Sequence, residues 1–187
     1  PHQLPFCKAM VNRLGEDFKF VATEPMTEER IKLGWSLDKD TYPFEIKVNE
    51  SNELQKKAEQ LAIESDVVII GSAPDSYIIP RLKRNKLTFK YSERPLKKGI
   101  HWNNLVHIIC GMWLHHGRFQ SKPLYMLAAS AYTAGDYARF GCYRGKCYKW
   151  GYFPEVKKYD PDELMKGKLS ATSDDLKCPC VSILWAG

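Results

Sequence analysis

The sequence predicts an α/β fold, a mostly parallel sheet doubly wound by helices on both faces in the Rossmann-like manner, and three observations lead there. Short β-branched or aromatic runs alternate with helix-period patterns along the chain, the signature of repeated βα units. One run, Asp66-Val67-Val68-Ile69-Ile70-Gly71-Ser72, carries an unbroken apolar centre of the kind expected for a parallel strand buried on both faces. The 187 residues, 44% of them hydrophobic, suit one core of this class, since a chain of that length buries roughly 70% of its unfolded surface without staples. The composition excludes a disordered tail, a collagenous repeat and a disulfide miniprotein.

Taken in order, Pro5 to Leu14 places Phe6, Met10 and Leu14 on one helical stripe, and Gly15 closes it. Phe18 to Thr23 and Tyr42 to Val48 are strands. Ser51 to Ser65 is an amphipathic helix with Leu54, Ala58, Leu61 and Ala62 turned inward. The strand from Asp66 is followed by a helix over Pro74 to Asn85 and a strand over Lys86 to Ser92. Trp102 to His116 carries Trp102, Leu105, Val106, Ile109, Met112 and Trp113 at helical spacing, an unusually wide apolar face. Leu124 to Ser130 is a strand, Thr133 to Phe140 a short helix closed by Gly141, and Lys146 to Phe153 the last strand of the domain.

These elements divide the chain into a domain over 1–153, an interdomain linker over 154–179 rich in Lys, Asp and Ser, and a strand over 180–187 that opens a second α/β domain. A doubly wound domain that begins with a helix is expected to have a strand before it, so Pro1 to Gln3 reads as a βα loop and both ends read as cut. Pro1-His2-Gln3 has neither the basic nor the apolar region of a signal peptide.

Charge narrows the partners. The net charge of +6 is far from that of a dedicated nucleic-acid binder, and its source is local: from Arg81 to Lys98 eight basic residues face one acid, Glu93, a net +7. Such a strip steers anionic groups or is a solvated face. No nucleic-acid partner is expected. Cys142 and Cys147, and Cys178 and Cys180, miss the spacing of paired zinc ligands, and no His follows position 116. Reduced cysteines are therefore expected, with Cys7 and Cys110 packed as small hydrophobes. The longest stretch without Asp, Glu, Lys or Arg, Gly99 to Gly117, has too short an apolar centre to span a bilayer.

Five segments suggest a family. Asp66-Val-Val-Ile-Ile-Gly-Ser-Ala-Pro-Asp75, Tyr91-Ser-Glu-Arg-Pro95, Leu127-Ala-Ala-Ser-Ala-Tyr-Thr-Ala-Gly-Asp136, Lys149-Trp-Gly-Tyr-Phe-Pro154 and Ile183-Leu-Trp-Ala-Gly187 together resemble the N-terminal half of a bacterial glycosyltransferase of family four, with the GT-B fold. The resemblance implies an acceptor-binding domain facing a C-terminal donor domain, which binds the nucleotide sugar, across a cleft. It implies transfer of a sugar to a glycan or lipid-linked acceptor with retention of configuration, in cell-surface polysaccharide synthesis in the cytoplasm, with no metal and no cofactor held by this domain. The family's paired glutamates lie in the donor domain, so this chain alone is expected not to catalyse transfer. The alternative from another class is a Rossmann-like sugar or nucleotide binding module without catalysis.

Ligands of open α/β sheets bind beyond the carboxyl ends of the strands, which selects His2 and Gln3, Thr23 and Glu24, Gly71 to Asp75, Ser92 to Arg94, and Ser130 to Asp136. Gly71, beside Ser72, permits close backbone approach, and the helix opened by Thr133-Ala-Gly-Asp136 favours an anion at its start. Glu93 is the candidate catalytic carboxylate, orienting an acceptor hydroxyl while Arg94 holds it ionised and contacts phosphate; the bland reading of the pair is a strand-end salt bridge. His2, Gln3, Gly71, Ser72, Arg94 and Asp136 are the candidate acceptor ligands. His115-His116 reads as a dipole partner at a helix end rather than a ligand pair, and Asp160-Pro161-Asp162 as a helix start rather than a metal motif. Core burial is the first reading of the aromatic helix from Trp102. The second rests it on a membrane or a lipid-linked acceptor at the inner face of the membrane.

Overall fold

Four parallel strands, hydrogen-bonded in the order in which they occur in the chain, form the main sheet of the computed structural model. The structure describes residues 3–32, 42–154, 158, 160–163 and 165. The chain divides into two compact units, Pro1–Pro154 and Glu155–Gly187. His2, Cys178, Cys180, the strand expected over 180–187 and most of the expected linker lie outside the described residues. In the second unit, Asp160 accepts the Asp162 N–H at 2.9 Å ahead of a helical turn, the capping role expected of that aspartate.

The first unit opens with α1 (Leu4–Leu14), which has Pro5 in its first turn, where no N–H is needed. It ends at Gly15, whose φ of 57° suits a residue without a Cβ. The strands β1 (Phe20–Ala22) and β2 (Glu45–Lys47) pair in parallel in a separate two-stranded sheet. Between them lies α2 (Glu28–Lys32), five residues with too little apolar pattern to announce themselves. In α3 (Asn52–Glu64), Ser51 caps the first turn by accepting the Leu54 N–H, and Ala58 is buried, with Leu54, Leu61 and Ala62 half-buried.

The main sheet follows: β3 (Val68–Ile70), β4 (Thr88–Ser92), β5 (Leu124–Ala128) and β6 (Cys147–Lys149). The helix expected over Pro74 to Asn85 is a 3-10 turn at Asp75–Tyr77 followed by α4 (Ile79–Lys83). The remaining crossovers carry α5 (Leu105–His115) and α6 (Thr133–Arg139). The core lies on one face of this sheet, where Ile70, Leu124, Met126 and Ala128 pack with Ile78 and Leu82 of the α4 segment, Met112 of α5 and Tyr137 of α6.

The opposite face is less covered, and this corrects one expectation. The run from Asp66 is not buried on both sides: Val67 and Ile69 are 49% and 44% exposed, and among the described residues β3 is an edge strand of its sheet. Along that face Phe89, Tyr125 and Tyr148 form a ring cluster with centroids 5.7 to 6.3 Å apart. On α1, Cys7 rather than Leu14 is the buried position, while Phe6 stacks on Phe153 and meets Trp150 edge-on. Burial, assisted by Glu45, pushes the Cys7 thiol up to about 11, as suits a packed thiol. Cys110 departs from expectation and is exposed.

The basic strip also dissolves into separate roles. Arg81 is fully buried, and its guanidinium donates to Thr88 Oγ1 and to the carbonyls of Ala62, Ser65, Asp66 and Leu87, all within 3.0 Å. It thereby closes the carbonyl end of α3, where a cation is favoured. Lys86 donates to the Glu64 carbonyl, and Lys90 is buried. Lys83, Arg84, Lys97 and Lys98 remain exposed.

Candidate functional site

Parallel strands expose their carboxyl ends at one rim of a sheet, and here that rim holds a cleft of about 520 Å³. It is bounded by Gln3 ahead of α1, Gly71 to Asp75 after β3, Lys90 to Glu93 at the end of β4, His115 and His116 at the end of α5, and Tyr137 of α6. The neighbours therefore come from the three crossovers of the main sheet and the segment ahead of α1, and meet because the strands run the same way.

At its floor stands a charged cluster. Lys90 alternates inward with Thr88, and an inward lysine needs a counter-charge and acceptors. Asp75, on the 3-10 turn after β3, supplies the charge: its Oδ1 lies 2.5 Å from Lys90 Nζ and its Oδ2 2.7 Å from His115 Nδ1. Lys90 Nζ also donates to the His115 carbonyl at 3.0 Å. Burial of Asp75 works to raise its pKa, but the hydrogen bonds from Lys90 and His115, with the Lys90 charge, outweigh it and hold the carboxyl below its ordinary value. An ionised carboxylate only accepts, so His115 Nδ1 carries the proton toward Asp75. In the neutral ring Nε2 is then an acceptor, and His115 is more than half exposed on the cleft.

A second hydrogen-bonded set supports the wall. The Tyr137 hydroxyl donates to Ser92 Oγ at 3.0 Å, and Ser92 Oγ donates to the Glu93 carbonyl. His116 Nδ1 lies 2.8 Å from the Tyr143 hydroxyl, whose pKa burial raises. Burial first, and the Lys90 charge second, push His116 down to about 3, so this imidazole is neutral beside a cationic neighbour. Tyr143 holds a φ of 51°, a costly conformation for a bulky residue that its buried side chain pins in place.

Of the residues selected from sequence, Gln3, Gly71 to Asp75, Ser92 and Glu93 line this one cleft. A Cβ at Gly71 would meet only the Tyr91 ring, at 3.9 Å, so packing does not demand glycine there. Arg94 and Asp136 are engaged elsewhere. Arg94 Nε donates to Asp136 Oδ2 at 3.0 Å, and its guanidinium lies 4.9 Å from the centre of the Tyr132 ring. The Asp136 side chain is 3% exposed and also accepts the Leu96 N–H, with Arg139 4.0 Å from its other oxygen. The expected Glu93–Arg94 pairing is thus replaced by Arg94–Asp136 and Glu93–Lys97 ion pairs, because the chain turns after β4 and directs Arg94 to α6. The start of α6 is furnished with its own carboxylate, Asp136, and with a Ser130–Thr133 hydroxyl contact of 3.1 Å.

The Asp75–Lys90–His115 cluster is what sequence reasoning missed. Its signal was Lys90 itself, a charge at an inward strand position between Thr88 and the cleft. His115 was placed at a helix end but not joined to an aspartate forty residues earlier in the chain. No protein-family model, curated protein or solved structure matches this chain.

Proposed function

We propose that this chain is the acceptor-binding half of a glycosyltransferase that moves a sugar from a nucleotide donor to a hydroxyl of a glycan or lipid-linked acceptor. The observation that carries the reading is the cleft at the strand carboxyl ends, lined by the His115–Asp75 pair and Glu93. Sugar hydroxyls require neighbouring donors and acceptors in fixed orientation, and the cleft supplies Gln3, Ser72, Ser92, Glu93 and His115 together with the Tyr91 and Tyr137 rings. Its position at the rim of a parallel sheet agrees with where such folds bind ligands.

In this reading the acceptor hydroxyl donates to His115 Nε2, and Asp75 fixes the tautomer that makes Nε2 an acceptor. Glu93 receives a second hydroxyl and orients the sugar ring. Lys90 serves as the counter-ion that keeps Asp75 ionised rather than as a ligand. Arg94 and Asp136 act behind the cleft, tying the loop after β4 to α6. The nucleotide sugar belongs to the donor domain of the full enzyme.

The test is amide and side-chain NMR of the chain titrated with oligosaccharides and, separately, with nucleoside diphosphates. Oligosaccharide shifts centred on Gly71, Ser72 and His115, weakened about tenfold in His115→Ala by loss of a hydrogen bond in the cleft, are expected. Preferential binding of the nucleotide at this cleft, or glycan shifts that map elsewhere, would overturn the reading.

A further inference from the structure

The helix α5 has eleven residues, none of them acidic and none Lys or Arg. Only half of its circumference is used by the fold. Met112 is buried and Ile108 packs against the core, whereas Val106, Ile109 and Trp113 are 73%, 48% and 60% exposed, and Trp102 in the turn before the helix is 92% exposed. Positions 106, 109 and 113 recur at helical spacing and fall on one face of α5, and Trp102 precedes them in the turn that leads into the helix. A contiguous apolar surface of this kind, headed by two tryptophans, marks an interaction site.

The charges around it identify the partner. Between Glu93 and Asp136 the chain contains no acidic residue but has Arg94, Lys97, Lys98, Arg118 and Lys122. Lys97 pairs with Glu93, Arg94 with Asp136, and Lys122 donates to Asn85. Lys98 and Arg118 are exposed and stand just before and just after the apolar face in the chain. A second copy of the chain meeting this face about a two-fold axis would bring these like charges together. An anionic lipid surface is instead complementary to both features: tryptophan rings settle at the headgroup level, and Lys and Arg meet the lipid phosphates. No described helix is long and apolar enough to cross a membrane, so α5 would lie in the interface plane with its apolar side sunk about 5–10 Å.

We propose that Trp102 and the outer face of α5 dock the protein on an anionic membrane surface, flanked by Lys98 and Arg118. This goes beyond the glycosyltransferase reading and does not depend on it. The docked helix ends at His115, so its carboxyl end stands beside the cleft, where a lipid-linked substrate would present its head.

The experiment is co-sedimentation of the 187-residue chain with phosphatidylglycerol-rich vesicles and with pure phosphatidylcholine vesicles. Binding to the anionic vesicles is expected, falling about tenfold or more with Trp102→Ser/Trp113→Ser and, separately, with Lys98→Glu/Arg118→Glu. Quenching of wild-type tryptophan fluorescence by brominated phosphatidylglycerol needs no variant and is expected as well. Absence of binding and quenching, equal binding by wild type and both variants, or a dimer in light scattering that the tryptophan variant abolishes would each overturn the proposal. Loss of glycan binding with vesicle binding intact would overturn only the functional reading of the cleft.

Discussion

Asp75 carries two duties with one carboxylate, neutralising a buried lysine and orienting a histidine. Replacing it by asparagine leaves Lys90 buried without a counter-charge, and breaking such a pair costs about 3–5 kcal/mol. Asp75→Asn is therefore expected to lower the urea midpoint strongly, while Asp75→Leu/Lys90→Met, which removes both charges, recovers most of the loss. Because its pKa is held down, Asp75 stabilises the fold above the ordinary carboxylate range, and that contribution is lost as pH falls through the lowered value. His116 acts at higher pH. Its native pKa of about 3 lies below the usual 6.5, so the unfolded chain takes up a proton that the folded one refuses. Stability complete above pH 6.5 declines toward pH 3, by about 2 kcal/mol between pH 7 and 5. Chemical denaturation at those two pH values should show this difference, reduced in His116→Gln. Gly71→Val should leave stability within about 0.5 kcal/mol yet weaken glycan binding, since the added side chain occupies cleft space. The strand-end rule made Gln3, Gly71 to Asp75, Ser92 and Glu93 legible, though not the partners of Asp75. Lys90 was not, because a lysine in a short strand reads as solvated, and its partner arrives from another crossover.

Among the elements, α3 shows how both ends of one helix are secured by unlike means. Its start is held by the Ser51 cap, whose replacement by alanine should cost about 1 kcal/mol. Its end depends on Arg81, a fully buried residue of α4, which collects four carbonyls and a hydroxyl. Arg81→Lys keeps the charge but cannot reproduce the planar set of donors, and losing several hydrogen bonds made by a fully buried cation should cost about 3 kcal/mol or more. Thermal unfolding of the two variants checks both values. The start of α3 at Ser51 was legible from the amphipathic run, and the structure adds that Ser51 caps it. Arg81 was counted as one more charge in a strip, since linear sequence does not distinguish a solvated arginine from one that serves as a cap. The same limit applied to α5. Its periodicity was plain, but an apolar helix with one unused side has the same pattern as one buried all round.

Across the molecule, the parallel α/β architecture was readable because each crossover alternates a strand-like run with a helical one. What the pattern did not convey was that β1 and β2 pair apart from the other four strands, since pairing depends on contacts between distant segments. Within the larger sheet, β3, β4, β5 and β6 are joined only to their neighbours in the chain, and no described pairing within it reaches past a single crossover. Assembly of this sheet therefore requires no late strand to be threaded between two earlier ones. It can grow from β3 toward β6 as the polypeptide leaves the ribosome, each new unit docking on an edge already formed. Pulse-labelled hydrogen exchange on chains stalled after β5 should find β4 amides protected before β6 exists, which makes this sheet a scaffold that is built in the order of its synthesis.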